Sequence, residues 1–125
     1  MNIQYLIDGH FDMLSDVAVR RKNGERQVIR RLYWPDFQAG GVTGVIASLF
    51  VDSQYLPWGA ADIAMEQISA LIQEVEESSD ILMLCTCADD FIRAAAGHKL
   101  GILMSFEGAE PVTSCLTLHG FYHLG

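Results

Sequence analysis

At 125 residues the chain is long enough for one ordinary domain with a real hydrophobic core. Half of its residues are hydrophobic and only 19% are charged, a composition that excludes a disordered or low-complexity chain. The formal net charge of −8 argues against general affinity for nucleic acid.

In chain order, Ile3–Ile7 reads as a first short strand. The amino-terminal stretch MNIQYLIDGH has no basic region and too short an apolar run for a signal peptide. No later run approaches the roughly 20 apolar residues of a membrane-spanning helix, so a cytoplasmic setting without a membrane partner is expected. A polar excursion follows, closing near Tyr33-Trp34-Pro35-Asp36. It holds six of the eight basic residues, between Arg20 and Arg31. Such a run can touch phosphates. Here no aromatic side chain interrupts it to stack on bases and the rest of the chain is acidic, so it reads as a solvated loop or helix face.

Gly40-Gly41 opens Val42–Val51, an apolar, partly β-branched run without charge, the pattern of a parallel strand covered on both faces. Ala64, Ile68, Leu71, Ile72 and Val75 recur at helical spacing, with Glu66, Gln67, Gln73 and Glu74 on other faces. Ala60–Glu77 is therefore an amphipathic helix, broken by Ser78-Ser79-Asp80. Ile81–Cys85 is a third strand, Ala88–Ala96 a short helix stopped by Gly97, Gly101–Phe106 a fourth strand, and Ser114–Leu124 a last helix. Strand and helix alternate about four times, as in a parallel α/β fold, and no linker or repeat divides residues 1–125.

Three cysteines, an odd number, make no disulfide framework. Cys85 and Cys87 would share a strand face as small buried hydrophobes; a soft-metal Cys-x-Cys site would need a second thiolate pair.

The chemistry-bearing residues sit at the strand ends. In LIDGHFD, His10 and Asp12 are two apart, so on an extended backbone their side chains point the same way. Imidazole nitrogen with carboxylate oxygen suits zinc or a similar divalent ion. Read alone, the triplet is equally compatible with exposed strand-end polar residues. Glu107 ends a second buried-strand pattern, GILMSFEG. In parallel α/β folds the carboxyl ends of the strands carry the chemistry, and one rim would gather His10, Asp12 and Glu107.

LIDGHFD, GGVTGVIASLFV, the AMEQISALI helix, GILMSFEGAEP and LHGFYHLG, in that order over essentially the whole chain, resemble the membrane (renal-type) dipeptidases. These are zinc metallopeptidases of the amidohydrolase kind on a (β/α)₈ barrel. The resemblance implies that His10 and Asp12 ligate a first zinc and that Glu107 is the catalytic carboxylate bridging two zincs. It also implies that the metals, roughly 3.5–4 Å apart, share a hydroxide that attacks the amide bond of a dipeptide.

Two departures accompany the resemblance. Family members usually continue EGGH after the fourth strand, where this chain reads Glu107-Gly108-Ala109-Glu110. A closed barrel also needs at least about 200 residues, so the expected architecture is the first four (β/α) units of a TIM-type barrel, truncated. The family's second-zinc histidines, its oxyanion-stabilising histidine and a late-strand aspartate come from downstream segments. His119 and His123, four apart on a helix, lack an HExxH context and read as surface histidines, and His98 as a solvated turn residue. With three protein ligands the chain alone is expected to be inactive, with at most partial zinc occupancy. It would associate through its uncovered edges, as a homodimer or with a complementing carboxyl-terminal half. The rival readings are a non-catalytic metal- or protein-binding α/β remnant and another amidohydrolase-type hydrolase. Trp34 and Trp58 are expected to pack over the rim or to line a substrate mouth. Asp8 is expected either to support a ligand's second nitrogen or to make a plain strand-end contact, and Asp16 and Asp52 lie near the same rim.

Overall fold

The computed structural model describes residues 4–125. Four parallel strands form one sheet: β1 (Ile7–Phe11), β2 (Gly44–Phe50), β3 (Leu82–Leu84) and β4 (Leu100–Glu107). Five helices accompany them: α1 (Leu14–Lys22), α2 (Trp34–Ala39), α3 (Ala60–Glu77), α4 (Ala88–Ala96) and α5 (Cys115–Leu124). The α/β alternation read from the sequence is present. The first strand starts where it was expected to end, so His10 and Phe11 lie inside it; of the expected Ile3–Ile7, Ile3 falls outside the described residues.

The charge-free run of β2 becomes the central strand, paired with β1 on one side and β4 on the other. Its alternate residues Val45, Ala47 and Leu49 are buried together with Leu100, Ile102 and Met104 of β4. They join Leu14 and Val17 of α1 and Ile68 and Leu71 of α3 in one core cluster. On the other face, Gly44 and its partner Gly101 lie under the ring of Phe91 from α4. A Cβ at these positions would stand 2.6 and 2.8 Å from that ring, so both residues have to be glycine for α4 to close the base of this face.

The sheet order is β1-β2-β4-β3, so the chain crosses over β4's position to make β3 and then returns. β3 pairs only with the first residues of β4, Leu100 to Ile102. Above that point this edge of β4 has no strand partner among the described residues.

The basic stretch is not a freely solvated surface. Its first part is α1, and a turn of π-helix at Ile29–Tyr33 leads into α2. Arg21 is buried against Glu74 and Glu77 of α3, and it also donates to Gln73 Oε1 at 2.8 and 3.1 Å. Lys22 reaches Glu66 at 2.6 Å, Arg31 reaches Glu25 at 2.6 Å, and Arg30 pairs with Asp80. The helix faces assigned to Gln67 and Glu74 change for the same reason: both are buried because each has a polar partner inside. Gln67 brackets the backbone of Phe50, donating to its carbonyl at 2.6 Å and accepting its N–H at 3.3 Å. No helix of the described residues is long and apolar enough to cross a membrane.

Candidate metal centre

The site lies at the carboxyl ends of β1 and β4, with β2 between them. β1 is bulged just before it. Asp8 pairs with Val45 and Phe11 with Ala47, so Gly9 and His10 together oppose the single residue Ile46. The Asp8 carboxylate closes this bulge by accepting the backbone N–H of His10 at 3.0 Å. Asp8 therefore braces the strand through His10's backbone and not through its ring. The bulge turns His10 onto the face that carries Ser48 of β2 and, through the register Phe50↔Glu107, the last side chain of β4.

On that face His10 Nε2 lies 3.2 Å from Asp12 Oδ1 and 3.3 Å from Glu107 Oε2. One ligating atom from each of the three lies within 4.8 Å of the others, and no other such trio occurs among the described residues. All three are exposed, beside an open pocket of about 250 Å³ lined by Asp12, Ser15, Ser48, Phe50 and Glu107. Ligands at zinc's usual bond lengths stand about 3.3 Å apart around a tetrahedron. The two separations from His10 Nε2 match that edge. Two carboxylates crowded on one imidazole repel each other unless a cation lies between them. The donor set fits a divalent ion with a coordination position left open.

Of the other residues singled out from sequence, most have structural occupations. Asp16 accepts from Arg20 at 2.9 Å and from the Tyr33 hydroxyl at 2.7 Å. Burial and that hydrogen bond push the Tyr33 phenol up to about 12. Asp52 caps the short turn at Ser53–Tyr55 through the Gln54 N–H. Trp34 packs against the core, whereas Trp58 is 93% exposed and covers nothing. The Glu110 carboxylate folds onto Gly108, whose φ of +83° favours glycine in any case. His119 and His123 stack edge to face, with ring centroids 4.5 Å apart, on the exposed side of α5, and His98 is exposed. Cys85 is buried, while Cys87 and Cys115 are exposed and all three are free.

Ser48 was not singled out by the sequence reading. It is 3% exposed, and its Oγ lies 3.1 Å from His10 Nε2 and 3.3 Å from Nδ1. The available signal was a lone hydroxyl inside the apolar run Val45–Val51.

The family model for the membrane dipeptidases, peptidase family M19, matches residues 1–125. The chain belongs to this family. Its fold is similar to that of dipeptidase AC, an M19 metallopeptidase, with a TM-score of 0.83 at 22% identity over 99% of this chain and 41% of the other. A metallopeptidase from Rhodobacter sphaeroides, solved with a phosphinate mimic of the dipeptide L-Ala-D-Ala, gives 0.82 at 20% identity, covering 99% of this chain and 44% of its own. An amidohydrolase from Pseudomonas aeruginosa gives 0.72 at 21% identity, with coverages of 97% and 31%. At these identities the likeness carries the fold, the start of a TIM-type barrel, and the chain spans less than half the length of each neighbour. No curated protein matches the chain in sequence. The family resemblance and the α/β class read from sequence are both borne out.

Proposed function

We propose that this chain supplies the first-metal side of an M19 dipeptidase active site. His10 and Asp12 would hold one zinc ion, and Glu107 would lend its carboxylate to that ion and to a second one. The reading is carried by one observation: an imidazole and two carboxylates from the two ends of the sequence converge within 4.8 Å on one strand-end rim. When bound, the metal polarises a peptide carbonyl and provides a nucleophile at neutral pH. The chain's own part is to hold that charge. Asp12 and Glu107 neutralise the cation, and the β1 bulge aims the imidazole at it.

The substrate is a simple dipeptide. Ligands for the second ion belong, in this family, to later strands, so residues 1–125 expressed by themselves would lack them and turn over no dipeptide, and the remainder of the barrel would complete the site. In its absence the chain associates with a second copy through β1 and the segment leading into it, where Tyr5, Leu6 and Ile7 are each more than 40% exposed. Sedimentation would then show a dimer; a strictly monomeric chain counts against this part of the reading.

The test is zinc stoichiometry in the wild-type chain, His10→Ala and Glu107→Ala, together with turnover of simple dipeptides. Wild type should hold zinc at no more than partial occupancy, each variant markedly less, and none should turn over substrate. Unchanged metal content in both variants would remove the site reading, and robust hydrolysis by the lone chain would refute its inactivity.

A further inference from the structure

Helix α5 carries a second pair of ligating side chains, outside the rim trio. His119 and His123 stand four residues apart, about one turn, so both project from the same side of the helix. Both are exposed, and their ring centroids lie 4.5 Å apart at an interplanar angle of 69°. The side-chain hydrogen bonds of this helix belong to Ser114 and Thr117 at its start. A Cβ at Gly120, next to His119, would meet nothing within 4 Å, so the surface beside the pair is open.

We propose that His119 and His123 form a two-point surface site for a tetragonal divalent ion, copper(II) most tightly and nickel(II) next. The spacing of the rings carries this. Two imidazoles bound at right angles to one ion, each nitrogen ~2.0 Å from it, have ring centres about 4.5 Å apart, because each centre lies a further ~1.1 Å behind its nitrogen. At the wider tetrahedral angle the same bonds put the centres about 5.2 Å apart. The observed separation is that of the right-angled pair. As they stand, the rings meet edge to face. Turning each about its Cβ–Cγ bond aims a nitrogen at the common point while the ring centre stays nearly in place, and that terminal torsion is a soft one. Both rings are exposed, so nothing buried has to move. Imidazole nitrogen completed by water in a tetragonal array is the preference of copper(II) and nickel(II). Zinc favours three or four protein ligands around a tetrahedron, so the pair selects against the ion proposed for the rim.

Nickel(II) is the probe, because copper(II) would oxidise exposed thiols such as Cys87. Every chain in the experiment carries His10→Ala and Cys115→Ser, which remove the rim imidazole and the thiol one turn before His119. Calorimetry gives the affinity, proton NMR of the histidine rings shows which of them meet the paramagnetic ion, and the metal-free urea midpoint of each chain controls for folding. The parent should bind one nickel(II), broadening the His119 and His123 ring lines together and leaving His98 sharp. Adding His119→Gln or His123→Gln turns a chelate into a single ligand and should weaken binding on the order of a hundredfold. A spacing control adds Leu116→His to His119→Gln. Leu116 is 85% exposed, and the new pairing with His123 spans about 10 Å along the helix, too far for one ion. This chain keeps the number of histidines and should bind as weakly as the single-ligand variants. A parent no tighter than its His119→Gln variant would overturn the site, and so would a spacing control that retains the parent's affinity.

Discussion

Glu74 and Glu77 on α3 and the pair Asp12 and Glu107 at the strand ends are both acidic clusters gathered around one basic side chain, yet they are finished differently. Around α3 the cation is permanent. The Arg21 guanidinium is buried between α1 and α3, and hydrogen bonding to Glu77, then to Glu74, holds it above the ordinary arginine range against the opposing effect of burial. The remaining acceptor of Glu74 takes the backbone N–H of Ile29 at 2.8 Å, so nothing in that cluster is left over. At the strand ends the only base is the His10 imidazole, and all three side chains face solvent. A structural ion cluster closes upon itself. The strand-end cluster leaves negative charge unmatched at the rim, which is what a cation site requires.

The largest effect should come from opening the closed cluster. Arg21→Ala leaves Glu74, fully buried, without its cation, and breaking a buried pair in this way costs about 3–5 kcal/mol. Urea denaturation would show this as a large fall in midpoint, or as failure to fold. Asp12→Asn should do the reverse in metal-free buffer. It removes one of two crowded exposed carboxylates, so the midpoint should stay level or rise. If Asp12→Asn destabilised the metal-free chain as strongly as Arg21→Ala, the strand-end trio would be a structural element and the contrast would fail.

Adding the missing cation sharpens the same contrast. A ligand that binds only the folded chain stabilises it by about 2.7 kcal/mol at a hundredfold excess over its dissociation constant. Zinc at that excess should raise the urea midpoint of wild type and leave those of Asp12→Asn and His10→Ala unmoved. The α3 cluster has no vacant position, so Glu77→Gln should still respond to zinc as wild type does. A zinc response surviving in His10→Ala would place the ion somewhere other than the rim.

Much of the architecture was legible because it depends on local pattern. The uncharged run in Val42–Val51 could only be a covered strand, and the apolar spacing of Ala60–Glu77 fixed α3 to the residue. The His10–Asp12 spacing was legible for the same reason. What was not legible depends on partners distant in sequence. Gln67 and Glu74 look like solvent-facing polar residues until the Phe50 backbone and Arg21 are brought against them. The helices between Leu14 and Ala39 were hidden because Arg21 and Lys22 of α1 find their partners on α3, while Arg20, Arg30 and Arg31 find theirs in other parts of the chain. The reversal that sets β4 between β2 and β3 has no local signature except Gly44 and Gly101, whose need for Phe91 appears only in three dimensions. Ser48 was missed because a single serine in a strand carries no spacing to read.

A smaller effect separates the clusters by pH. Glu77 is held below its ordinary value of 4.5, first by its hydrogen bond to Arg21 and against a contribution from burial. A carboxylate with a depressed folded value contributes stability above its unfolded value, and that contribution is lost as pH falls through the folded one. The closed cluster should therefore weaken below about pH 4. Glu77→Gln should flatten that acid limb in urea midpoints measured from pH 7 down to pH 2. An acid limb identical in wild type and variant would mean that the Arg21 pairing does not hold in solution.

The three free thiols give the mildest probe of what is closed and what is open. Burial, then the charge of Asp90, pushes the Cys85 thiol up to about 11, whereas Cys87 and Cys115 stand in solvent. Only the thiolate attacks a disulfide reagent, so at pH 8 two thiols should react promptly and the third should wait for the fold to open. In denaturant all three should react together. Because the folded value lies above the unfolded one, Cys85 contributes stability below about pH 9 that fades as pH rises toward 11. Cys85→Ala should accordingly reduce the number of slow thiols to zero and lessen the alkaline loss of stability. Three equally fast thiols in the native chain would mean that the sheet base under β3 and α4 is open. The helix-covered part of the fold would then be no more closed than the metal rim.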